Sequence, residues 1–257
     1  MPTLTIAVMT LNEAAQIEAC LSSARFADQL LVLDSGSTDN TRELARKMDA
    51  EVHTSADWQG FAEQRNRMLA LSRGDWVLFL DADEVIPPEL AQDIQAAVAR
   101  DDTCVYALKW LQIAFGQPLT RMRAGRGQPR LFPRRELLRY DGVVHEGPVL
   151  HHPDTPRHLL PHPLEHHSRR TVHQSLVKLA QYAQLGAVKR AGTDRKGGLL
   201  RGTASGLANF FRMYIVHGGI LCGRAGFLHC LFVALESFFR YVALDVDREH
   251  LSRPVSR

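Results

Sequence analysis

The first hundred residues alternate short apolar runs with stretches of helical hydrophobic spacing. Runs such as LTIAVM, LLVLD and WVLFLD are separated by segments in which apolar residues recur every three or four positions. We predict strands at these runs and helices at 13–25, 39–49, 60–73 and 88–99. Strands separated by helices pair in parallel, so this order predicts an α/β fold with a mostly parallel, Rossmann-like sheet flanked by helices.

The composition is typical of a folded protein in a reducing compartment. Its 257 residues can bury a full core, and 45% hydrophobic against 23% charged residues excludes disorder. The four cysteines show no paired spacing, which favours reduced thiols and a cytosolic protein. MPTLTIAVMT carries no basic leader, so we expect a first strand there rather than a signal peptide.

Polar motifs follow three predicted strands at the point where each strand ends. TLNEA follows the first strand, DSGSTDNT the second and DADE the fourth. Ligands of open α/β sheets collect at the carboxyl ends of the strands, so we expect these loops to converge on one crevice. In the first two loops the candidate binding residues are Thr10, Asn12, Glu13 and Asp34. Asp34 can accept from a nucleotide base or ribose, whereas Asn12 is also suited to cap a helix.

The stretch WVLFLDADE runs five apolar residues into three carboxylates. Asp81 and Asp83 offer two hard oxygen ligands to Mg²⁺ or Mn²⁺ and leave coordination positions for substrate phosphate. Such an ion can neutralise a diphosphate leaving group. Alternatively, Asp83 and Glu84 cap the helix that begins near Pro87. The acidic loop's place beside the other motifs favours the metal.

These motifs resemble a known family when taken together. The chain resembles the family 2 glycosyltransferases, which have a GT-A fold, through TLNEA, VLDSGSTDNT, GFAEQRN and GDWVLFLDADE in this order. It also resembles the subset with the lipopolysaccharide inner-core β-glucosyltransferases through VVHEGPV and FFRMYIVHGGILCGRAGF. The resemblance implies inverting transfer from a UDP-sugar, with Asp81 and Asp83 on the metal and diphosphate and Asp34 near the base. Many relatives carry two successive acids where this chain has Asp34 and Ser35.

Two arginines are candidates for contact with the diphosphate. Arg65 lies on the predicted helix 60–73, where it reaches a phosphate or faces solvent. Arg130 lies in RMRAGRGQPRLFPRRELLR, which holds seven arginines and one acid. Phe132 is the only aromatic residue of that stretch, which argues against nucleic acid as a partner. We predict that Arg130 meets the diphosphate and its neighbours meet a phosphorylated acceptor such as lipid A with core sugars.

Inversion requires a base that removes the proton of the acceptor hydroxyl. The candidate is Glu146 in YDGVVHEGPV, with His145 to orient it or to bind the acceptor. Burial beside the preceding valines would raise the pKa of Glu146 toward a useful value. A surface turn with an incidental acid is the alternative for this segment, and Glu84 is the competing base.

Eight of the twelve histidines fall between residues 145 and 173. A zinc site is disfavoured because these histidines form no HExxH motif and have no cysteine nearby in the sequence. One of His166 or His167 can return to the crevice as a third metal ligand or as a contact to the diphosphate, and we choose His166 as the metal ligand.

The remainder is predicted to be helical, which divides the chain into a catalytic domain over 1–170 and an extension over 171–257. The extension comprises an amphipathic helix, a basic glycine-rich linker over 192–206 and an apolar segment over 207–244. Its apolar stripe either lies in the headgroup layer of an anionic leaflet or packs against protein, including a second copy of the chain. Charges interrupt 225–244, so we expect no clean membrane-spanning helix there. The stripe comprises Phe227, Leu228, Leu231, Phe232, Leu235, Phe238, Phe239 and Val242.

The sequence therefore predicts a cytoplasmic, metal-dependent, inverting glycosyltransferase at the inner leaflet of the plasma membrane. We expect it to move a hexose, with glucose first, from a UDP-sugar to a lipid-linked glycan such as the lipopolysaccharide inner core. Polyprenyl phosphate is the alternative acceptor. A nucleotidyltransferase is the rival enzyme, but TLNEAAQ lacks the glycine-rich phosphate loop it would need. A binding module without turnover is the non-enzymatic rival.

Overall fold

The computed structural model describes residues 1–142, 147–193 and 196–251. The chain forms two compact units. The first unit comprises Met1–Leu111 and Ala124–His166, and the second comprises Gln112–Arg123 and His167–Arg257. The division after residue 170 stays a prediction about domains.

The strands and helices follow the predicted alternation over the first hundred residues. The strands are β1 (Leu4–Thr10), β2 (Gln29–Asp34), β3 (Glu51–Thr54), β4 (Trp76–Asp81), β5 (Glu84–Val85), β6 (Val105–Leu108), β7 (Trp110–Ala114), β8 (Gln117–Pro118), β9 (Gln128–Pro133), β10 (Leu137–Asp141), β11 (Gly147–Leu150), β12 (Arg157–Leu159) and β13 (Leu164–Arg169). The helices are α1 (Ile17–Ser23), α2 (Thr41–Lys47), α3 (Phe61–Leu71), α4 (Pro88–Arg100), α5 (Val172–Ala191), α6 (Leu199–Phe211) and α7 (Gly223–Val246).

The first unit is built on a seven-stranded sheet of order β12-β6-β9-β4-β1-β2-β3. Strand β1 pairs in parallel with β2 and β4, and β3 and β12 also join in parallel. Strand β9 runs antiparallel between β4 and β6. The mostly parallel sheet predicted from the sequence is confirmed, and β9 is the antiparallel insertion that the alternation did not reveal.

Both faces of this sheet are covered, which explains why its strands read as continuous apolar runs. All seven residues of β1 are buried. Ile6 and Val8 belong to one core cluster with residues of α1 and α4, while Ala7 and Met9 belong to a second with Met68 of α3. Helices on both faces leave only the strand ends open for chemistry.

A polar network ties the strands together at the end opposite their carboxyl termini. Thr5 Oγ1 donates to Gln29 Oε1 at 2.8 Å, and Gln29 Nε2 donates to Glu51 Oε2 at 3.0 Å. Arg73 forms two bonds to the Glu51 carboxylate, at 2.7 and 3.1 Å. Hydrogen bonds from Arg73 and His53 lower the pKa of Glu51 to about 2.

We expect Glu51→Gln to lower stability at pH 7 by about 1 kcal/mol, a modest value because the carboxylate is one-third exposed. A lowered folded-state pKa stabilises the fold fully above the ordinary value of 4.5 and less as pH falls toward 2. The difference between the proteins in urea unfolding should therefore shrink from pH 5 to pH 3. A difference that stays constant over this range would contradict the assignment.

The second unit holds a helical hairpin in which α6 packs closely on α7. A Cβ on Gly202 would lie 2.9 Å from the Phe238 carbonyl oxygen, and one on Gly206 would lie 3.1 Å from that of Ala234. Ser237 Oγ hydrogen-bonds to Ser205 Oγ at 2.8 Å. The prediction of a linker over 192–206 was therefore wrong at its end, because these glycines serve close helix packing and α6 begins at Leu199.

Part of the predicted apolar stripe packs inside this unit rather than facing a membrane. Phe232 is only 5% exposed, and Phe238 and Val242 lie against Gly202. Among the described residues, one helical run, Gly219–Val246, is long and apolar enough to cross a membrane by length and composition, with a third of its most apolar window buried. This run includes residues 225–244, where the charges led us to expect no clean membrane-spanning helix, and that expectation stays a prediction.

Candidate active site

The acidic loop lies where β4 ends, beside the carboxyl ends of β1 and β2. The register pairs Met9 with Asp81 and Thr10 with Asp34. Strand β5 then pairs antiparallel with β13, which sets Glu84 opposite His166. The predicted convergence of the three loops follows directly from this register.

Two of the three predicted metal ligands, Asp83 and His166, lie close to each other. Asp83 Oδ2 lies 3.6 Å from His166 Nε2, and the two side chains are 12% and 23% exposed. Burial would lower the pKa of His166, but the interaction with Asp83 and the charges of the surrounding carboxylates raise it. Asp81 is more open, with its side chain one-third exposed.

Arg130 lies between two carboxylates of this loop. Its Nη2 lies 3.1 Å from Asp81 Oδ2 and 3.2 Å from Glu84 Oε1, and Arg130 is only 4% exposed. The guanidinium also lies over the Trp110 ring, 5.3 Å from its centroid. Desolvation would raise the pKa of Asp81, but the charges of Arg130 and Arg65 outweigh it and hold that pKa below its ordinary value. Asp81 is therefore a carboxylate across the physiological range.

Glu84 is fully buried, and its oxygens are held from several sides. Glu84 Oε1 accepts from Trp110 Nε1 at 2.6 Å, and Oε2 accepts from the Asp81 backbone N–H at 2.9 Å. Burial raises the pKa of Glu84 to about 6 in spite of Arg130. Glu84 therefore has the contacts expected of a residue that holds the loop in place, rather than those of a base that faces an acceptor hydroxyl. Helix α4 has Pro87 at its N-cap and no side-chain cap bond, so the capping alternative is not supported.

Three consecutive residues of α3 connect the acidic loop to the surrounding strands. Gln64 is buried and donates to the Ser55 carbonyl oxygen at 3.2 Å. Arg65 Nη2 lies 3.9 Å from Asp81 Oδ1. Asn66 donates to the Tyr140 carbonyl oxygen at 3.1 Å and accepts from the Tyr140 N–H at 2.7 Å. The QRN segment thus directs Arg65 at the acidic loop and fixes β10 beside it.

The loops after β1 and β2 are bonded to each other. Asp34 is fully buried and accepts from the backbone N–H groups of Gly36 and Ser37, at 3.1 and 2.9 Å, and from the Ser37 hydroxyl. Asn12 has a φ of 55° and accepts from the Thr38 N–H at 2.8 Å. Asp34 and Asn12 therefore shape these loops, and their contact with a nucleotide stays a prediction.

Two buried hydroxyls at the same strand ends have no hydrogen-bond partner within the described part of the chain. They are Thr10 Oγ1 and Ser35 Oγ. Glu13 lies at the start of the next turn, where its backbone N–H donates to Thr41 Oγ1 at 2.9 Å. A buried hydroxyl without a partner is costly, so Thr10 and Ser35 are well placed to bind a ligand.

Comparison with known proteins identifies the family. The model of glycosyl transferase family 2 matches residues 5–148, more than half of the chain. The chain belongs to glycosyl transferase family 2. This match spans the acidic loop, α3 and both hydroxyl-bearing strand ends, and with the observed sheet it confirms the expected GT-A fold.

Two bacterial glycosyltransferases that are similar over most of the chain agree with this membership. An uncharacterized glycosyltransferase of Rickettsia felis is 25% identical over 92% of this chain and 87% of its own length. The lipopolysaccharide core biosynthesis glycosyltransferase LpsC of Rhizobium meliloti is 26% identical over 90% of this chain and 87% of its own. Among solved structures, glucosyl-3-phosphoglycerate synthase of Mycobacterium tuberculosis with Mn²⁺ and UDP is 28% identical, with a TM-score of 0.38. That match covers 42% of this chain and 44% of the synthase.

The donor set of this glycosyltransferase fits a cation that is shared with substrate. Among the described residues, no group of three His, Cys, Asp or Glu side chains is arranged to hold a metal alone. Asp81 and Asp83 nevertheless present hard carboxylate oxygens at a partly open strand end. Mg²⁺ typically binds one or two carboxylates and takes its other ligands from water and phosphate.

Three residues of this site were not predicted from the sequence: Trp110, Tyr140 and Ser35. Trp110 and Tyr140 each lie under an arginine, and Ser35 was noted only as a departure from relatives. The tryptophan that ends CVYALKW, a predicted strand, was the available signal for Trp110. His145 and Glu146, the predicted orienting residue and base, lie outside the described residues.

Proposed function

We propose that this glycosyltransferase transfers a hexose, with glucose as the first candidate, from a UDP-sugar with inversion of the anomeric centre. The observation that carries the proposal is the acidic loop, where Asp81 lies beside Arg65 and Arg130 at the end of β4 and Asp83 follows it beside His166. Carboxylates for a cation and guanidinium groups for phosphate are what a departing nucleoside diphosphate requires.

Each side chain of the loop has a separate task in this proposal. Asp81 and Asp83 would hold Mg²⁺ or Mn²⁺, with His166 beside Asp83, and the ion would neutralise charge on the diphosphate. Arg130 keeps Asp81 ionised and oriented. Arg65, stacked 5.1 Å over the Tyr140 ring, presents a guanidinium at the same edge.

The nucleoside is proposed to lie over the ends of β1 and β2. Thr10 and Ser35 supply the hydroxyls that have no partner in the described chain, and the Asp34 loop closes the pocket beside them. Asn12 and Glu13 would complete the same wall, since the Asn12 N–H donates to Ser37 Oγ in the loop that Asp34 shapes and the Glu13 N–H donates to Thr41 Oγ1 at the start of α2. Glu146, oriented by His145, is proposed to remove the proton of the acceptor hydroxyl.

The acceptor is proposed to be a lipid-linked glycan such as the lipopolysaccharide inner core, at the cytoplasmic face of the membrane. Support comes from LpsC, whose name assigns it to lipopolysaccharide core biosynthesis and which aligns over most of the chain. The basic segment that carries Arg126 suits an acceptor with phosphate groups.

The test is release of UDP from a panel of UDP-sugars, with and without core-truncated lipopolysaccharide, in the presence of Mg²⁺ or Mn²⁺. We expect release to depend on both one UDP-hexose and the acceptor. Absence of release with every UDP-sugar and acceptor would contradict the proposal. In the same assay, Glu146→Gln should abolish transfer while UDP binding persists, and unchanged turnover would remove the base role.

A further inference from the structure

The second unit carries a tip with exposed apolar side chains, and their exposure to water is unfavourable. Among the described residues, all the large exposed hydrophobic side chains except Met1, Leu138 and Leu159 belong to this unit. Four of them lie in the turn between α6 and α7, and each is at least half exposed. We define the hairpin tip as these four residues, Ile215, Val216, Ile220 and Leu221.

The hairpin tip is a built structure rather than a frayed end. A π-helical turn, Arg212–Val216, continues α6, and a 3₁₀ turn, Gly219–Cys222, leads into α7. A Cβ on Gly226 would collide with the Gly219 carbonyl oxygen, and one on Gly219 would lie 3.1 Å from the Met213 carbonyl oxygen, so the turn packs closely against both arms. Phe227 packs against Phe210 at 5.8 Å between ring centroids. The apolar side chains are therefore held outward by packing beneath them.

Positive charge surrounds the hairpin tip. The forty residues from Lys196 to Leu235 contain no acid, and exposed Arg212 and Arg224 flank the tip on its two arms. A basic loop is also fixed against the turn, because the Arg123 N–H donates to the His217 carbonyl oxygen at 2.9 Å. Arg121 lies on the same loop, and its carbonyl oxygen would lie 2.7 Å from a Cβ on Gly218. Arg121 and Arg123 are both exposed.

Exposed apolar side chains surrounded by positive charge favour one kind of binding partner. A second copy of the chain docked through the same face would place these arginines against one another, which is unfavourable. An anionic phospholipid surface instead offers phosphates to the arginines and acyl chains to Ile and Leu side chains. We propose that the hairpin tip inserts into the headgroup layer of an anionic bilayer, with Arg121, Arg123, Arg212 and Arg224 on lipid phosphates. The side of the membrane to which the hairpin tip binds rests on the proposed function, because the acceptor defines that side. The binding itself does not depend on the proposed function.

The experiment is co-sedimentation of the full chain with phosphatidylcholine vesicles, with and without phosphatidylglycerol, and with no nucleotide sugar present. We expect binding only to the anionic vesicles, weakened by salt. Leu221→Glu should weaken binding at least about tenfold, because it removes an inserted apolar group and adds a repelled charge. The pair Arg212→Gln and Arg224→Gln should weaken it roughly fivefold per charge. Circular dichroism establishes that each variant is folded.

Leu138→Glu is the matched control, since Leu138 is 45% exposed in the first unit, and it should bind vesicles like the wild type. Equal binding to neutral vesicles, or equal loss in the control, would overturn the proposal. So would a dimer in light scattering that Leu221→Glu dissociates while vesicle binding is absent. Resistance to alkaline carbonate extraction would indicate a spanning α7 instead. Failure here leaves UDP release unaffected, so it is distinguishable from failure of the proposed transfer reaction.

Discussion

Replacing Asp83 with asparagine is expected to reduce sugar transfer by at least about 100-fold and to remove the effect of Mn²⁺ on UDP binding. The amide keeps the shape of the side chain but loses the negative charge that a hard cation requires. Asp83 lies beside His166. Asp81 already has its own place at the proposed ion, and Glu84, the remaining carboxylate of the loop, is buried, so neither can replace Asp83. Titration calorimetry of UDP with and without Mn²⁺ measures the effect.

The matched control is Asp154→Asn, a change of the same kind at an exposed turn of the first unit. It should leave both transfer and Mn²⁺-dependent UDP binding at wild-type levels. If Asp83→Asn bound UDP with the same affinity in Mn²⁺ and in chelator, and the wild type did so too, the acidic loop would not be a metal site.

Replacing Arg130 with methionine is expected to destabilise the fold by about 3–5 kcal/mol, because it leaves the buried carboxylate of Glu84 without its cation. Methionine keeps much of the apolar volume, so lost packing against Trp110 contributes less than the uncompensated charge. The pKa of Asp81 should rise at the same time, since the charge of Arg130 is the largest influence that lowers it. Urea unfolding at pH 7 measures the loss of stability.

A second change tests the cause of that loss. Glu84→Gln removes the buried charge and keeps an acceptor for the Trp110 N–H, so it should restore part of the stability of Arg130→Met. The double-mutant cycle should therefore give a clearly favourable coupling between these two side chains. Additive losses would show that Arg130 acts through packing alone.

The strand-end chemistry could be predicted because it depends on local patterns. Apolar runs with helical spacing between them fix parallel pairing, and parallel pairing brings the ends of β1, β2 and β4 to one edge. Asp81 and Asp34 therefore had to lie near each other once the alternation was recognised. The separation of Asp34 and Asp81 along the chain did not matter, because the sheet register sets their separation in space.

The rest of the site depends on contacts that local patterns do not encode. Strand β9 enters the sheet antiparallel between β4 and β6, and that insertion carries Arg130 to Asp81. Nothing in the spacing of RGQPRLF specifies that partner strand. The glycines of α6 misled the prediction for another reason, since Gly202 and Gly206 usually indicate a loop but here permit close helix contact.

The position of Arg130 also bears on the order in which ligands bind. Two loop carboxylates, Asp81 and Glu84, are already partly neutralised by Arg130 and Arg65, and Asp83 lies beside His166. A free divalent ion therefore gains little from entering this loop alone, and the diphosphate supplies the missing negative charge. We expect nucleotide and ion to arrive as a pair and, after transfer, to depart as a pair.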